Sequence, residues 1–449
     1  MKITIMMRAI DQTSGFRSYM EGVVSTLLRI DQENEYLLLY RKPDFLGRFS
    51  GHKNVKEMLI GPSHVLLWDQ VAVPLAARRE GADVIFNPKF TAPLLTRIPT
   101  AMVVVEPTWW ATPGDHPWWD VAFMHMTLPL YLRKARHFLP WSEFMIADTR
   151  KYLKLPLPNA TVTYTSVKPH FKRKIEPSEV ATVRAKYGLP ERYILCVANV
   201  LLKGYKRPVF RQTRNVESIV HAFALCRDRI PHGLVIAGSS IRESLIRSGL
   251  TEQEFAGVQF LGFVPDEVLP PLFSGADLFA LAPFYEVSVT ALIEAMTCGC
   301  PILTSNIGAS PEIVGDAALT ANPRNPSDLA EKMVMILTDD QLRAELHAVI
   351  VDYAAVRSIN VLTPALYVLK KKLEGNTRTY RMYHRRDLLR MFASHGFAKP
   401  KAIPQFFWPM VLHRKLSRPF VSRALETPAY LLQMRRWFGS PVILRLERV

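Results

Sequence analysis

Glu286 and Glu294 are two acidic residues eight positions apart in the segment FYEVSVTALIEAMTCG. The pattern places the first in a turn and the second inside an amphipathic helix. A carboxylate in the loop before a helix can reach the hydroxyls of a sugar, and the amino end of the helix offers backbone N–H groups to a phosphate. A second carboxylate two turns further on can accept hydrogen bonds from both hydroxyls of a ribose. Such a pair could hold a sugar and a nucleotide together.

Two glutamates at this spacing are frequent by chance, and the spacing alone favours two solvated surface charges. Their surroundings favour a site instead. Glu286 follows the apolar run DLFALAPFY, which is typical of a strand that ends where open α/β sheets place their ligands. Glu294 has apolar neighbours on both sides in LIEAM, an unusual setting for a solvated acid.

Short apolar strands alternate with helical patterns along the chain, and these elements must position the two glutamates. In the first part the strand-like runs are KITIMM, EYLLLY, ADVIFN and AMVVVE, with a helix from about Arg17 to Ile30. The pattern restarts with YILCVAN and continues through HGLVIAG, VQFLGF, ADLFALA and PILTS, with a helix near Ser218 to Arg229. This alternation predicts an α/β fold with two mainly parallel sheets.

A polar, basic and proline-punctuated stretch from Lys168 to Glu191 separates the two patterns and suits an interdomain connection. We therefore expect a Rossmann-like domain over 1–168, a linker over 169–190 and a second Rossmann-like domain over 191–354. A helix over 355–374 is predicted to return to the first domain, and a basic extension follows over 375–449.

The chain resembles glycosyltransferase family 4, a family of retaining enzymes with the GT-B architecture. The similar segments are SGFRSYMEG, LLWDQVAVPLAARREGADVIFNPKFTAPL, the glutamate pair and SNIGASPEIVGDAALTANPRNPSDLAEKM, within roughly Met1 to Lys372. The resemblance implies two Rossmann-like domains that face each other across a cleft. It also implies hexose transfer from a nucleotide diphosphate sugar, with GDP-mannose favoured, to a saccharide or lipid-linked saccharide acceptor.

No D-x-D triplet is present to hold a metal on the diphosphate, so we expect metal-independent chemistry without a cofactor.

The resemblance assigns roles to individual residues. Glu286 matches the first glutamate of the family motif E-x(7)-E, which lies by the transferred sugar, and Glu294 matches the second, which holds the ribose. The family also places an Arg and a Lys against the diphosphate, after the first strand of its second domain. These cations offset the charge that grows on the leaving group as the glycosidic bond breaks.

The loop VLLKGYKRPVFRQTRN holds four candidates for the two diphosphate-binding cations: Lys203, Lys206, Arg207 and Arg214. Arg214 ranks first because Arg214 and Asn215 resemble the Lys-Asn pair that family members carry just before the helix. Lys206 or Lys203 ranks second. A solvated basic loop is an equally good interpretation of any single one of them.

Four further positions are implied on the donor side: Gly15, Val264, Ser288 and Val289. Many family members have Gly-Phe-Gly directly after the first glutamate, whereas this chain has Val287, Ser288 and Val289. Glycine lets a backbone approach a phosphate closely, so we expect weaker amide contacts here.

Glu106, Trp109 and His116 are the candidates for the acceptor side. Many family members carry a His-Asp pair after the strand that matches AMVVV, whereas this chain has Val105 and Glu106. That histidine normally lies beside the reacting sugar, so its replacement implies either altered acceptor handling or a catalytically weak relative that acts as a binding or scaffold protein. His116 and His125 lie nearby in the sequence, and each could substitute for it or be structural. Trp109 belongs to the segment WWATPGDHPWWD, whose indoles could stack on sugars or bury a loop.

The net charge of +17 and the pI near 9.7 imply attraction to a polyanion or to an acidic membrane surface. From Gly375 onward there are fifteen Lys and Arg against three acidic residues, so about twelve of the net charges lie in this tail. We expect the tail to dock on the body, hold a partner or contact acidic lipid, and we expect no nucleic acid because regularly interleaved binding motifs are missing. The tail, from the helical segment TYRMYHRRDLLRMFASHGF to the final VILRLERV, weakly resembles the carboxyl-terminal part of S-adenosylmethionine-dependent methyltransferases, but the glycine-rich loop for that cofactor is not recognisable.

The composition is 49% hydrophobic and 22% charged, which is typical of a globular protein. The amino end lacks the apolar core of a signal peptide, no apolar run is long enough to span a membrane, and the cysteines lack zinc spacing. We therefore expect a cytoplasmic protein with reduced, buried cysteines.

The segment LYLRKARHFLPW interleaves Arg133, Lys134 and Arg136 with apolar residues. This pattern suits peripheral contact with anionic lipid at the inner membrane face, or a solvated basic helix face.

Overall fold

The computed structural model describes residues 1–11, 15–104, 106–165, 167, 170–171, 175–198, 214–347 and 350. All of them belong to one structural unit, Met1–Ser358. The candidate cations Lys203, Lys206 and Arg207, the predicted helix over 355–374 and the basic extension over 375–449 lie outside the described residues. Within the described part of the chain, no helix is long and apolar enough to cross a membrane.

The first half of the chain forms a six-stranded parallel sheet with the strand order β3-β2-β1-β4-β5-β6. Its strands are β1 (Lys2–Met6), β2 (Glu35–Tyr40), β3 (Val55–Leu59), β4 (Val84–Asn87), β5 (Thr100–Val103) and β6 (His137–Leu139). Its helices are α1 (Gly15–Ile30), α2 (Val65–Leu67), α3 (Val73–Arg79), α4 (Thr108–Ala111), α5 (Trp118–Lys134) and α6 (Glu143–Leu153). The strands β4 and β5 are buried at every position, as parallel strands usually are.

The second half forms another six-stranded parallel sheet, with the order β12-β11-β10-β7-β8-β9. Its strands are β7 (Tyr193–Val197), β8 (Gly233–Ala237), β9 (Val258–Gly262), β10 (Leu278–Leu281), β11 (Ile302–Ser305) and β12 (Leu319–Ala321). Its described helices are α7 (Pro177–Tyr187), α8 (Val216–Cys226), α9 (Ile241–Arg247), α10 (Leu269–Ser274), α11 (Thr290–Thr297), α12 (Ser310–Val314) and α13 (Pro326–Thr338). The predicted α/β fold with two Rossmann-like sheets is thereby confirmed.

Part of the stretch predicted to be a linker is helical. The helix α7 ends at Gly188, whose φ of 59° lies in the left-handed region that glycine adopts easily. Val183 and Tyr187 pack against the apolar core of the second sheet. This part of the connection therefore packs with the second half of the chain.

A π-helical turn, Trp68–Ala72, joins α2 to α3 in the first half. It buries Trp68 completely in the core and leaves Asp69 only 1% exposed. Single π-helical turns are rare inside helices and occur frequently at functional sites. This turn places the carboxyl group of Asp69 in the buried interior next to the first sheet.

The strand order reverses once in each sheet, and these reversals locate the positions where ligands are expected. In the first sheet the chain runs from β1 outward through β2 and β3, then returns to the other side of β1 with β4. In the second sheet the same reversal separates β7 from β10. Open α/β sheets bind ligands beyond the carboxyl ends of the strands at such a switch point.

Candidate active site

Arg214 and Glu286 form an ion pair at the switch point of the second sheet. Glu286 lies in the loop after β10, and Arg214 lies just before α8. The Nε atom of Arg214 is 2.8 Å from Oε1 of Glu286, with the two side chains 29% and 11% exposed. The Nε–H does not point at an acceptor with hydrogen-bond geometry, so the contact is mainly electrostatic. The structure thus brings together the two residues ranked first on the sequence.

Asn215 holds Arg214 in this position. Its backbone has a φ of 52°, in the left-handed region that asparagine tolerates better than most residues. Its buried side-chain amide donates hydrogen bonds to the carbonyl of Ala282, at 2.7 Å, and to the carbonyl of Pro323, at 2.9 Å. Because Ala282 directly follows β10, the amide fastens the start of α8 to the strand that leads to Glu286.

The backbone of Glu286 is fixed by the loop after β11. The N–H of Ala309 donates a 2.9 Å hydrogen bond to the carbonyl of Glu286. Gly308 has a φ of 71°, and a Cβ atom there would lie only 3.0 Å from the same carbonyl oxygen. A side chain at position 308 would therefore push Glu286 away from its place.

The first half of the chain contacts Val287 and Ser288, the two residues that follow Glu286. Ser142 donates its hydroxyl to the carbonyl of Val287 at 2.8 Å, and the hydroxyls of Ser288 and Thr165 are 2.8 Å apart. Val287 is 1% exposed and packs in an apolar cluster of the first half. Val287, at the first of the two expected glycine positions, and Ser288 thus make contacts across the two halves.

Two further links fasten the same loop and α12 to α6. The phenol of Tyr285 donates a hydrogen bond to the carboxylate of Asp148. The carboxylate of Glu312 accepts hydrogen bonds from the backbone N–H groups of Glu143 and Phe144, at 2.8 and 2.9 Å. Glu312 therefore caps the amino end of α6, where a negative charge is favourable. None of these residues was singled out from the sequence, because each acts through a partner more than a hundred positions away.

Glu106 comes from the first sheet. Together with Glu286 and Arg214 it forms a group of two carboxyl groups and one cation. It follows β5 and is partly buried. Burial and the negative charge of Glu286 raise the pKa of Glu106 to about 7, against the opposing effect of Arg214. Burial also raises the pKa of Glu286, again opposed by Arg214. Two carboxyl groups that share one cation are therefore expected to retain a proton near neutral pH.

Replacing Glu106 by glutamine is expected to remove a pH dependence of stability. The pKa of Glu106 is about 7 in the folded state, above the ordinary value of 4.5, so the folded state binds the extra proton. The free energy of unfolding therefore falls as the pH rises between these two values. At about pH 8 the Glu106→Gln variant should be more stable than the natural chain by about 1–3 kcal/mol, and near pH 4 the two should converge. Denaturant unfolding across this range measures the effect, and a difference that is independent of pH would contradict it.

Glu294 lies on α11 and is partly buried. Burial of the Cys298 thiol, and to a smaller extent the charge of Glu294, raises the pKa of that thiol to about 12. The carboxylate of Glu294 therefore lies near Cys298. All four cysteines are free and buried, as predicted. Val289 precedes α11 and is fully buried. The role of Glu294 toward a ribose stays a prediction.

Trp109 and His116 pack together with Asp120. The indole N–H of Trp109 donates a 2.7 Å hydrogen bond to Asp120, and the rings of Trp109 and His116 stack at 5.1 Å. Trp109 is 9% exposed, whereas Trp118 and Trp119 are 81% and 61% exposed. The geometry at Trp109 favours burial of a loop over an open stacking face, and an acceptor role for Trp109 and His116 stays a prediction.

Gly15 and Val264 were also predicted to lie on the donor side. Gly15 is the first residue of α1. Val264 follows β9, is 7% exposed and belongs to the core of the second half. Neither is part of the group formed by Glu106, Arg214 and Glu286.

Known proteins resemble this chain in sequence. Residues 208–353 match the family model "Glycosyl transferases group 1". O-antigen chain mannosyltransferase B of Escherichia coli is 27% identical over 239 residues, which cover 51% of this chain and 59% of that protein. Serotype-specific mannosyltransferase WbdA of Escherichia coli is 26% identical over 271 residues, which cover 53% of this chain and 31% of that protein. The chain thus spans less than two thirds of the length of either relative.

Solved structures resemble the fold. Sucrose-phosphate synthase from Thermosynechococcus elongatus has a TM-score of 0.64 at 16% identity, with 84% of this chain and 100% of that chain covered. Anabaena Alr3699/HepE in complex with UDP has a TM-score of 0.60 at 18% identity, with the same coverage. WaaG, a glycosyltransferase involved in lipopolysaccharide biosynthesis, has a TM-score of 0.59 at 14% identity, with 84% and 100% covered. Together with the two parallel sheets, these similarities confirm the GT-B fold.

Proposed function

We propose that this chain is a retaining glycosyltransferase of family 4 that transfers a hexose, with mannose favoured, from a nucleotide diphosphate sugar to a saccharide or lipid-linked saccharide. The observation that carries the proposal is the ion pair of Arg214 and Glu286 at the switch point of the second sheet. It lies inside the segment that matches the glycosyltransferase model, and the mannosyltransferase relatives favour GDP-mannose as the donor.

The proposed transfer breaks the bond between the anomeric carbon and the diphosphate oxygen, which keeps the electron pair. The oxygen of an acceptor hydroxyl forms the new bond to the anomeric carbon. Arg214 offsets the charge that develops on the diphosphate, with Lys206 or Lys203 as the proposed second cation. Glu286 accepts hydrogen bonds from the hydroxyls of the transferred sugar, and Glu294 accepts those of the ribose.

Glu106 is the proposed acceptor-side residue. Its carboxyl comes from the first sheet, opposite the donor-side pair, and its pKa of about 7 suits the exchange of a proton at neutral pH. In its deprotonated form it can take the proton that the acceptor hydroxyl loses. This role gives the acceptor side a carboxyl group directly after Val105, the residue that stands where the family histidine is missing.

A panel of nucleotide sugars tests the proposed function. The full chain should release nucleoside diphosphate from GDP-mannose when saccharide acceptors are present, and NMR of the product should show the anomeric configuration of the donor retained. UDP-glucose and UDP-N-acetylglucosamine serve as alternative donors. The proposal is wrong if the folded chain neither transfers nor hydrolyses any donor.

A catalytically weak binding or scaffold protein is the second candidate. It is favoured by the buried valines after Glu286, because the carbonyl of Val287 is engaged by Ser142 and the glycines expected beside a phosphate are missing. A chain that binds nucleoside diphosphates in a thermal-shift experiment but turns over no donor would support this candidate over the first.

We also propose peripheral contact with an anionic membrane through one surface of the first half, here called the apolar face. Its exposed apolar side chains are Leu67, Val71, Leu75, Leu95, Met126 and Leu130. The residues Leu67, Val71 and Leu75 repeat every four positions along one side of the α2–α3 stretch.

Polar contacts show that the segments of the apolar face are neighbours. The side chain of Gln70 bonds to the backbone of Ala92 and Leu94, which ties the α2–α3 stretch to the loop that carries Leu95. Lys134, at the end of α5, donates to the carbonyl of Thr96 in the same loop. The exposed cations Arg79, Arg97, Arg133 and Arg136 lie on these segments. Apolar side chains flanked by cations suit an anionic lipid surface.

The double variant Leu75→Glu and Met126→Glu is expected to weaken binding to phosphatidylglycerol vesicles about tenfold, because it replaces apolar contact by charge repulsion. Co-sedimentation of the full chain measures the affinity, with phosphatidylcholine vesicles for comparison. Leu225→Glu is the matched control, because Leu225 is 57% exposed on α8 of the second half. Equal binding by the double variant and the natural chain would exclude the apolar face as the contact.

A further inference from the structure

A second cluster of buried charged and polar side chains lies at the switch point of the first sheet, between β1 and β4. Arg8 follows β1, and Asn87, Lys89 and Thr91 lie at or just after the end of β4. The buried carboxylate of Asp69 joins them from the π-helical turn. Arg8 and Lys89 are each 8% exposed and Asn87 is fully buried. None of these residues belongs to the group around Arg214.

The hydroxyl of Thr91 is the centre of this cluster. It donates to Oδ2 of Asp69 at 2.8 Å and accepts from the amide of Asn87 at 2.7 Å. The guanidinium of Arg8 donates to the same hydroxyl at 3.3 Å and lies 3.4 Å from Oδ2 of Asp69. Three buried atoms have no hydrogen-bond partner in the described part of the chain, namely Nε of Arg8, Oδ1 of Asp69 and Oδ1 of Asn87. Nearly all buried polar atoms in proteins are paired, so three such atoms in one cluster are unusual.

Positive charge exceeds negative charge around the cluster. Arg41, next to the end of β2, lies 2.9 Å from Asp11, and its charge also acts on Lys89. The three cations Arg8, Arg41 and Lys89 thus accompany the two carboxylates Asp11 and Asp69. Burial and the charge of Arg8 lower the pKa of Lys89 to about 8, while Asp69 opposes this effect. A bound anion would neutralise the excess and return the pKa of Lys89 toward its ordinary value.

The position of the cluster connects it to the proposed reaction. The strand β4 pairs with β5, and the carboxyl end of β5 leads to Glu106. Glu106 in turn lies within electrostatic reach of Glu286. A ligand at the switch point of the first sheet would therefore lie one strand away from the proposed acceptor-side carboxyl.

We propose that this cluster binds an oxyanion, phosphate or carboxylate, carried by the acceptor saccharide. Lys89 and Arg8, each 8% exposed, hold the charge of the oxyanion. The acceptor is therefore an acidic saccharide. The identification of the ligand as an acceptor rests on the proposed function, whereas the binding of an oxyanion at this cluster does not.

Calorimetric titration of the full chain tests the site directly. Saturating GDP fills the proposed donor site, and mannose 6-phosphate, glucuronate and neutral methyl mannoside are titrated in turn. The phosphorylated sugar or the uronate should bind at least about tenfold more tightly than the neutral sugar, and the stronger of the two identifies the oxyanion. Lys89→Met should lose this advantage, and Lys89→Arg should keep it within about threefold.

Lys53→Met is the matched control, because Lys53 is exposed just before β3, at the amino-terminal end of an edge strand of the same sheet. It removes the same charge, so it reports non-specific attraction of anions to a basic chain. Binding to the natural chain should also weaken as the pH rises through the pKa of Lys89 at about 8, beside the charges of Arg8 and Arg41 and the carboxyl group of Asp69, whose own pKa is raised by burial. Lys89→Arg should lose this pH dependence because arginine stays charged.

Equal affinity for the acidic and neutral sugars would overturn the inference, and so would equal losses in Lys89→Met and Lys53→Met. If Lys89→Met does not fold, the pH dependence of sugar binding by the natural chain and by Lys89→Arg still shows whether Lys89 binds the oxyanion. Failure of the proposed function appears separately, as a chain that binds no GDP or transfers no sugar while the oxyanion titration is unchanged.

Discussion

Replacing Glu286 by glutamine is expected to lower kcat for sugar transfer about 100- to 1,000-fold while the donor Kd changes less than about threefold. Glutamine keeps the size and the hydrogen-bonding oxygen of the side chain but removes the charge that lies 2.8 Å from Arg214. Without this carboxylate, Arg214 loses its ionic partner. The loss should therefore appear in the chemical step more than in donor binding.

Stability separates this loss from unfolding. Burial raises the pKa of Glu286, so its charge is unfavourable in the folded state, and a neutral residue should leave the melting temperature unchanged or higher. Glu191→Gln is the matched control, because Glu191 is exposed at the amino-terminal edge of the same sheet, just before β7. Full activity of Glu286→Gln with the true donor would remove the proposed mechanism.

The central strands of both sheets could be predicted because each is an unbroken apolar run. The strands β1, β2, β4, β5 and β7 coincide with segments recognised on the sequence within three residues at each end. The strands that the sequence reading missed are β3, β6 and β12, and all three lie at sheet edges. An edge strand has one neighbour, so it can be short or partly polar, as VKEML in β3 shows. Such segments give no clear hydrophobic signal.

The donor side of the candidate site was visible in the sequence because its residues lie next to recognisable elements. Glu286 follows an apolar strand, and Arg214 precedes a helix with a distinctive Asn215. The proximity of Glu106 to Glu286 depends on how the two sheets pack, which no local pattern encodes. The cluster of Arg8, Asp69 and Thr91 likewise joins residues from three separate segments.

The two switch points have related chemistry, which supports one reaction site built from both sheets. Each places a cation and a carboxylate beyond the carboxyl ends of parallel strands: Arg214 with Glu286 in the second sheet, and Arg8 with Asp69 in the first. Glu106 links them, since it follows a strand of the first sheet and responds to the charges of the second. Donor and acceptor would thus occupy equivalent positions on the two sheets.

Replacing Arg214 by methionine is the other change with a large expected effect, because Arg214 balances both carboxyl groups. The variant should lower kcat/KM about 100- to 1,000-fold, since the charge developing on the diphosphate loses a cationic partner. Arg214 also holds down the pKa of Glu106 and Glu286, so its removal should shift the acidic limb of the pH–rate profile to higher pH. Arg214→Lys should keep the charge but recover only part of the rate, because lysine lacks the guanidinium fork.

The pH dependence of stability distinguishes the electrostatic role of Arg214 from a purely structural one. Above neutral pH, removal of Arg214 leaves two ionised carboxyls without their cation, so Arg214→Met should be destabilised more at pH 8 than at pH 5, by about 1 kcal/mol or more. Arg192→Met, at an exposed position before β7, should change neither stability nor the profile. Combining Arg214→Met with Glu286→Gln should cost much less than the sum of the two single losses, because both remove the same ion pair. Additive losses would show that the two residues act independently, and the proposed site would then lack its central contact.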